Sequence, residues 1–229
     1  MKTYLLDIRN CDCMEMMREF DDNHFELAIT DPPYFDGPNK LGFYGGKCSN
    51  IGVDRGGYEK LGTWKIPDQQ YFNELSRVSK NQIIWGINYY PIENIGLGRI
   101  VWNKCKTAST YSDCEIAYCS MHDSVKMFTY MWNGMLQGSN ADGSRAEGNK
   151  RLNEKRIHPT QKPVKLYDWI LKTYAKEGDK ILDTHLGSGS IAIACHYAGH
   201  ELTACELDES YYNGACERIK RETAQMTMF

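Results

Sequence analysis

Between Lys180 and Glu206 the chain reads strand, turn, helix, strand, and this unit limits the possible folds more than any other feature. Lys180–Asp183 is a short apolar strand, and the stretch from Asp183 to Ser190 carries Gly187 and Gly189. Ser190–Tyr197 has helical character and ends at Gly199, and Glu201–Glu206 is a second strand. A helix between two strands points to parallel pairing, because parallel neighbours need a crossover that a hairpin cannot supply. Glycines between the strand and the helix let the backbone approach a ligand and let the helix start close to the sheet.

The rest of the sequence extends this pattern. Strands are predicted at Tyr4–Ile8, Phe25–Thr30, Gln82–Gly86, Arg99–Asn103 and Glu115–Ser120. Helices are predicted at Asp12–Phe20, Asp68–Ser79, Val164–Tyr174 and Asp208–Arg221. Alternating strands and helices imply an α/β fold with a mostly parallel, doubly wound sheet. A length of 229 residues suits one domain. Two stretches interrupt the regularity. Residues 35–66 hold eight glycines and read as a long mobile loop, and residues 134–157 are polar without periodicity.

Composition narrows the function classes. The 41% hydrophobic and 25% charged content is that of a soluble globular chain, with no run long enough to span a membrane. The start breaks too early for a signal peptide, so a cytoplasmic location is expected. Nine cysteines contain no CxxC pair, which argues for reduced structural thiols and no metal site. Net charge is −3, yet residues 35–66 and 121–165 together carry +6 and the remainder −9. Two basic segments on an acidic body can still follow a phosphate backbone.

Two segments carry chemistry. In the first, Glu206 stands 19 residues after Gly187 at the end of the next strand, where a carboxylate can accept hydrogen bonds from ribose hydroxyls. The pattern suits a nicotinamide dinucleotide or S-adenosylmethionine. Ala192 stands where a third glycine would favour a pyrophosphate. The second is Asp31-Pro32-Pro33-Tyr34 at the end of a buried strand. A carboxylate and the following carbonyl can together accept both protons of an amino group. The prolines stiffen the loop, and the aromatic ring offers a stacking surface.

Together these segments resemble the amino-methyltransferases of DNA, specifically the β group, whose motif order is circularly permuted so that the DPPY motif precedes the cofactor glycines. The likeness extends to Asn10–Met14, to Ile83–Tyr90, to His158-Pro159-Thr160-Gln161-Lys162-Pro163 and to Cys205–Tyr212. It implies a Rossmann-like fold of the S-adenosylmethionine-dependent methyltransferase type and transfer of a methyl group to a flipped-out adenine N6. The catalytic set is Asp31, Pro32, Pro33 and Tyr34. The cofactor set is Asp12, Thr160, Lys162, Asp183, Thr184, His185, Gly187, Ser188, Gly189 and Glu206. His185 departs from the pattern, which usually has an aromatic such as Phe there.

The implied partner is adenine-containing duplex DNA. Family members often dimerise, and a companion restriction endonuclease belongs to the same restriction-modification setting. Segment 121–157 is short for a target-recognition region, so a short or relaxed target sequence is expected. Cytosine-N4 methylation is the alternative on the same fold, with Ser usual in place of Asp31. RNA and protein-amide methylation, or a non-catalytic nucleic-acid-binding role, are further alternatives.

Overall fold

The computed structural model describes residues 5–33, 66–105, 112–133, 136–138, 153–158 and 160–224. Tyr34, residues 35–65 of the expected loop, and residues 134–135 and 139–152 of the variable segment lie outside the described residues.

An eight-stranded sheet forms the centre. In chain order its strands are β1 (Leu6–Asn10), β2 (Leu27–Thr30), β3 (Gln82–Trp85), β4 (Arg99–Asn103), β5 (Cys114–Cys119), β6 (Val125–Thr129), β9 (Lys180–Asp183) and β10 (Glu201–Glu206). Across the sheet they run β1-β10-β9-β2-β3-β5-β4-β6. Pairing is parallel except where β5 lies antiparallel to both β3 and β4. A small second sheet pairs β7 (Met131–Asn133) with β8 (Leu136–Gly138).

Among the described residues five α-helices cover the main sheet: α1 (Cys13–Met17), α2 (Gln69–Val78), α3 (Val164–Tyr174), α4 (Ser190–Ala198) and α5 (Glu209–Thr223). Side-chain alternation divides the core. Leu27, Ile29, Ile83, Trp85 and Ile181 pack with α3 and α4 on one face. Ala28, Ile84, Leu182 and Cys205 pack with α1 and α2 on the other. Local sequence explains the helix starts. Asp68 and Asp208 accept the Tyr71 and Tyr211 backbone N–H at 3.1 and 3.0 Å, capping α2 and α5. In α2 the buried Tyr71, Phe72, Leu75 and Val78 recur at helical spacing.

The first helix is shorter than the predicted Asp12–Phe20, with Asp12 acting as its N-cap. Strands β6, β7 and β8 were not expected. Val125 and Met127 on β6 are exposed, so this edge strand lacks the apolar run that marked the buried strands. Residues 125–138 of the supposed variable segment are therefore largely built into strands.

Chain direction reverses between β9 and β2. From β2 the chain moves to β3, on the far side from β9; from β9 it moves to β10, on the far side from β2. The crossover helices α2 and α4 consequently lie on opposite faces. Loops leaving β2 and β9 part there and open a crevice at the strand ends, the usual ligand position in such sheets.

Candidate active site

A cavity of about 700 Å³ occupies this crevice, within the range of small-molecule sites. Its wall includes Asp31, Pro32 and Pro33 after β2, the turn Thr184–Ser188 after β9, Glu206 at the end of β10, and Asp12 after β1. Thr160 and Lys162 close it from the segment before α3. Of the expected residues within the described chain, Asp183 and Gly189 lie behind the wall.

These two act through the turn. The buried Asp183 Oδ1 accepts the His185 N–H at 3.0 Å. Burial pushes the Asp183 carboxyl up to about 8. Gly189 has φ +74°, and a Cβ there would stand 2.9 Å from Ile219 Cδ1 on α5. Only glycine allows both that turn and that helix contact. Arg218 of α5 braces the same turn, donating to the Ser188 carbonyl at 2.8 Å and to Ser190 Oγ at 2.9 Å. Its other nitrogen meets Glu154, whose carboxylate also accepts the Val164 N–H at the start of α3.

On the cofactor side, Glu206 accepts from the Gly187 N–H at 2.8 Å and the Asp208 N–H at 3.0 Å. Two carboxylate oxygens offer about four lone-pair sites, more than these backbone donors occupy. A Cβ on Gly187 would find only the His185 carbonyl, at 3.9 Å, so the space above the turn is open. Asp12 lines the cavity while its Oδ1 caps α1, accepting the Met14 N–H at 2.7 Å.

The chemistry side is organised by charge. Lys162 Nζ contacts Asp31 Oδ2 and stands 3.0 Å from Glu115 Oε2 on β5. The Lys162 side chain is only 2% exposed. Burial pulls its ammonium down, but the Asp31 and Glu115 carboxylates outweigh that and hold it protonated. Burial pushes Asp31 up against the pull of Lys162. Asp31 Oδ1 is buried and has no hydrogen-bond partner among the described residues. The neighbouring Pro32 carbonyl accepts the Tyr90 hydroxyl at 2.5 Å and retains one lone pair. Two acceptors with spare capacity thus belong to consecutive residues of the cavity wall. Lys162, read from sequence with the cofactor set, belongs with them.

His185 sits between the two halves. Its Nδ1 lies 3.0 Å from Thr184 Oγ1, in a buried cluster with Thr30 and Tyr71 from the α2 face. Burial lowers His185 to about 4 and His158, beside Thr160, to about 3. Both therefore stay neutral at physiological pH. For a base whose folded value lies below the unfolded 6.5 or so, the stabilising contribution is complete above pH 6.5. It is lost as pH falls towards 4. Asp183 has the opposite sign, its contribution fading as pH rises from 4 to 8. His185→Phe should therefore lose less stability than the parent on acidification. The midpoint of the parent minus that of the variant should fall steadily from pH 6.5 to 4.5, and a constant difference would refute a buried neutral imidazole.

Sequence reasoning missed Glu115, Tyr71, Arg218 and Glu154. Glu115 had a signal: it is the one charged residue in the strand Cys114–Cys119. Tyr71 reads as an ordinary apolar-face residue of α2. Arg218 and Glu154 look like solvated charges until the tertiary structure joins them.

Residues 101–217, just over half of the chain, match the family of DNA methylases acting at N6 and N4. The chain belongs to that family. It is 23% identical over 92% of its length to the type II methyltransferase M2.DpnII of Streptococcus pneumoniae, of which 88% is covered. Among solved structures it resembles the M1.HpyAVI–SAM complex, with a TM-score of 0.57 and 18% identity. That alignment covers 93% of this chain and all of that one. It also resembles the cytosine-N4-specific PvuII DNA methyltransferase, with a TM-score of 0.56 and 10% identity over 97% and 94% of the two chains. The methylase fold is accordingly the α/β doubly wound sheet that the motifs implied. Among the described residues no helix is long and apolar enough to cross a membrane.

Proposed function

We propose that this methylase transfers a methyl group from S-adenosylmethionine to the N6 amine of an adenine flipped out of duplex DNA. The observation that carries the reading is the pair of acceptors, Asp31 Oδ1 and the Pro32 carbonyl, in one cavity with Glu206 and the Gly187 turn. The cavity fits the cofactor: Glu206 offers free lone pairs for ribose hydroxyls, and the space above Gly187 is open. Asp12, Thr184, His185 and Ser188 complete that wall. When bound, S-adenosylmethionine supplies an electrophilic methyl group on a sulfonium.

The chain's own residues do the rest. Base chemistry on duplex DNA requires extrusion of the target. Tyr34 stacks on the extruded ring, worth about 1–3 kcal/mol. The Asp31 carboxylate and the Pro32 carbonyl accept hydrogen bonds from the two amine N–H groups, which draws the nitrogen lone pair out of ring conjugation and aims it; the single proton released on methylation leaves from N6 on the Asp31 side. Positioning then supplies much of the acceleration. No Pro-Cys pair exists in the chain to serve as a covalent nucleophile.

Duplex DNA is the partner this reading requires. Family likeness extends it to a homodimer and a companion restriction endonuclease, in a bacterial or mobile-element setting within the cytoplasm. Cytosine N4 is the second reading, because its amine poses the same geometric demand.

Incubation with methyl-labelled S-adenosylmethionine and unmethylated plasmid, followed by digestion to nucleosides, tests the proposal. Label is expected in N6-methyladenine. Label in N4-methylcytosine would replace adenine with cytosine, and DNA without label would remove DNA as the substrate.

A further inference from the structure

Four charged side chains run in single file from the cavity into the sheet: Asp31, Lys162, Glu115 and Lys104. Lys162 contacts Asp31 Oδ2 on one side and Glu115 Oε2 on the other, and Lys104 contacts Glu115 Oε1. The two ammonium groups also lie over aromatic rings, Lys162 over Trp85 at 5.5 Å and Lys104 over Trp102 at 5.1 Å. Only Asp31 and Lys162 line the cavity. Glu115 and Lys104 do not line it, and Glu115 meets the cavity only through Lys162.

We propose that Glu115 is a positioning residue for methyl transfer: by sharing Lys162 it confines that ammonium to one oxygen of Asp31 and leaves the other oxygen free for the target amine. This rests on the reading that Asp31 accepts that amine. An ammonium flanked by one carboxylate would be drawn wholly to it and would deplete its acceptor strength. Flanked by two, it divides its pull, and Lys104 keeps the second carboxylate ionised in its buried position. The electrostatics agree in sign. Burial is the largest influence on Asp31, and beyond it Glu115 raises the carboxyl while Lys162 and Lys104 lower it. Burial also acts on Glu115, but Lys162 and Lys104 hold it below the usual carboxylate value. Other groups facing the file are Tyr167 of α3 and Asp183 of β9, both of which feel the charge of Asp31, and His158, which feels that of Lys162. The Tyr90 hydroxyl is held on the Pro32 carbonyl.

Glu115→Gln and Lys104→Met in the full chain therefore have opposite expected effects. Carbon-13 NMR of labelled aspartate carboxyls, with Asp31 assigned by its loss in Asp31→Ala, reads the titration directly. Asp31 should titrate about one pH unit lower in Glu115→Gln and higher in Lys104→Met. The acid limb of the kcat–pH profile should move the same way, with affinity for S-adenosylmethionine within twofold of the parent. Glu115→Asp, which keeps the charge, should restore the parent profile. Titrations that stay put or move together would overturn the proposal, as would an acid limb that ignores opposite NMR shifts. Opposite shifts in a protein whose parent methylates no amine would sink the functional reading and leave the coupling intact.

Discussion

Lys162→Met is expected to destabilise the protein by about 3–5 kcal/mol, the usual cost of stranding buried charge. For a chain of this size that lowers the melting temperature by something on the order of 10 °C. The physical reason is specific to this site. Lys162 is 2% exposed and is the cation between Asp31 and Glu115. Without it Asp31 on the cavity wall and Glu115 behind it face each other, with only Lys104 left on Glu115. Asp31 would respond by taking up a proton. Its folded value would rise further above the unfolded one, so the lost stability is regained at low pH and lost again as pH rises. The melting-temperature gap between variant and parent should accordingly be small near pH 5 and widest near pH 8. A uniform gap across that range would mean that Lys162 matters for packing alone.

Asp31→Ala should lower turnover about 10²–10³-fold, the scale seen when one preorganised polar group is removed from a reacting centre. Affinity for S-adenosylmethionine should change little, because Asp31 pairs with Lys162 and takes no part in the hydrogen bonds of Glu206 and the Gly187 turn. Lys162 keeps Glu115 as a partner, so folding should survive. Asp31→Asn is the sharper variant. The ammonium of Lys162 accepts no hydrogen bond, so it orients the amide with its oxygen inward and its NH2 towards the cavity. A donor then faces the donor amine of the substrate, and the amide should be nearly as poor as alanine. Single-turnover rates with cofactor affinity measured separately decide it. Near-parent turnover in the Asn variant would remove the role given to the Asp31–Lys162 contact.

Much of this was readable from the chain. Strands β4 and β9, helix α3 and strand β10 fall on the predicted residues, because each places buried apolar side chains at the spacing of its own element. Asp31 and Glu206 could be placed because strand ends are where a parallel sheet exposes carboxylates to a ligand. The charge file was not readable. Its members lie at 31, 104, 115 and 162, on four separate segments, and only the sheet order brings them together. Lys162 illustrates the limit: its motif was visible, but the direction of its side chain depends on an acid 47 residues earlier. Strand β6 was missed for a different reason, since an edge strand with Val125 and Met127 in solvent has no buried face to imprint on the sequence.

The pairing of β5 carries a consequence for how this enzyme can vary. Glu115 lies opposite Trp102, and Ala117 opposite Ile100, all on the face covered by α3. Neighbouring residues Ile116 and Tyr118 pack on the other face. Adding or deleting one residue within β5 would exchange these two sets. The carboxylate would then lie among the apolar side chains of α2, and Lys162 would lose one of its two anchors. Length changes inside this hairpin are therefore forbidden by electrostatics as much as by packing, whereas substitutions that keep its parity remain open to drift.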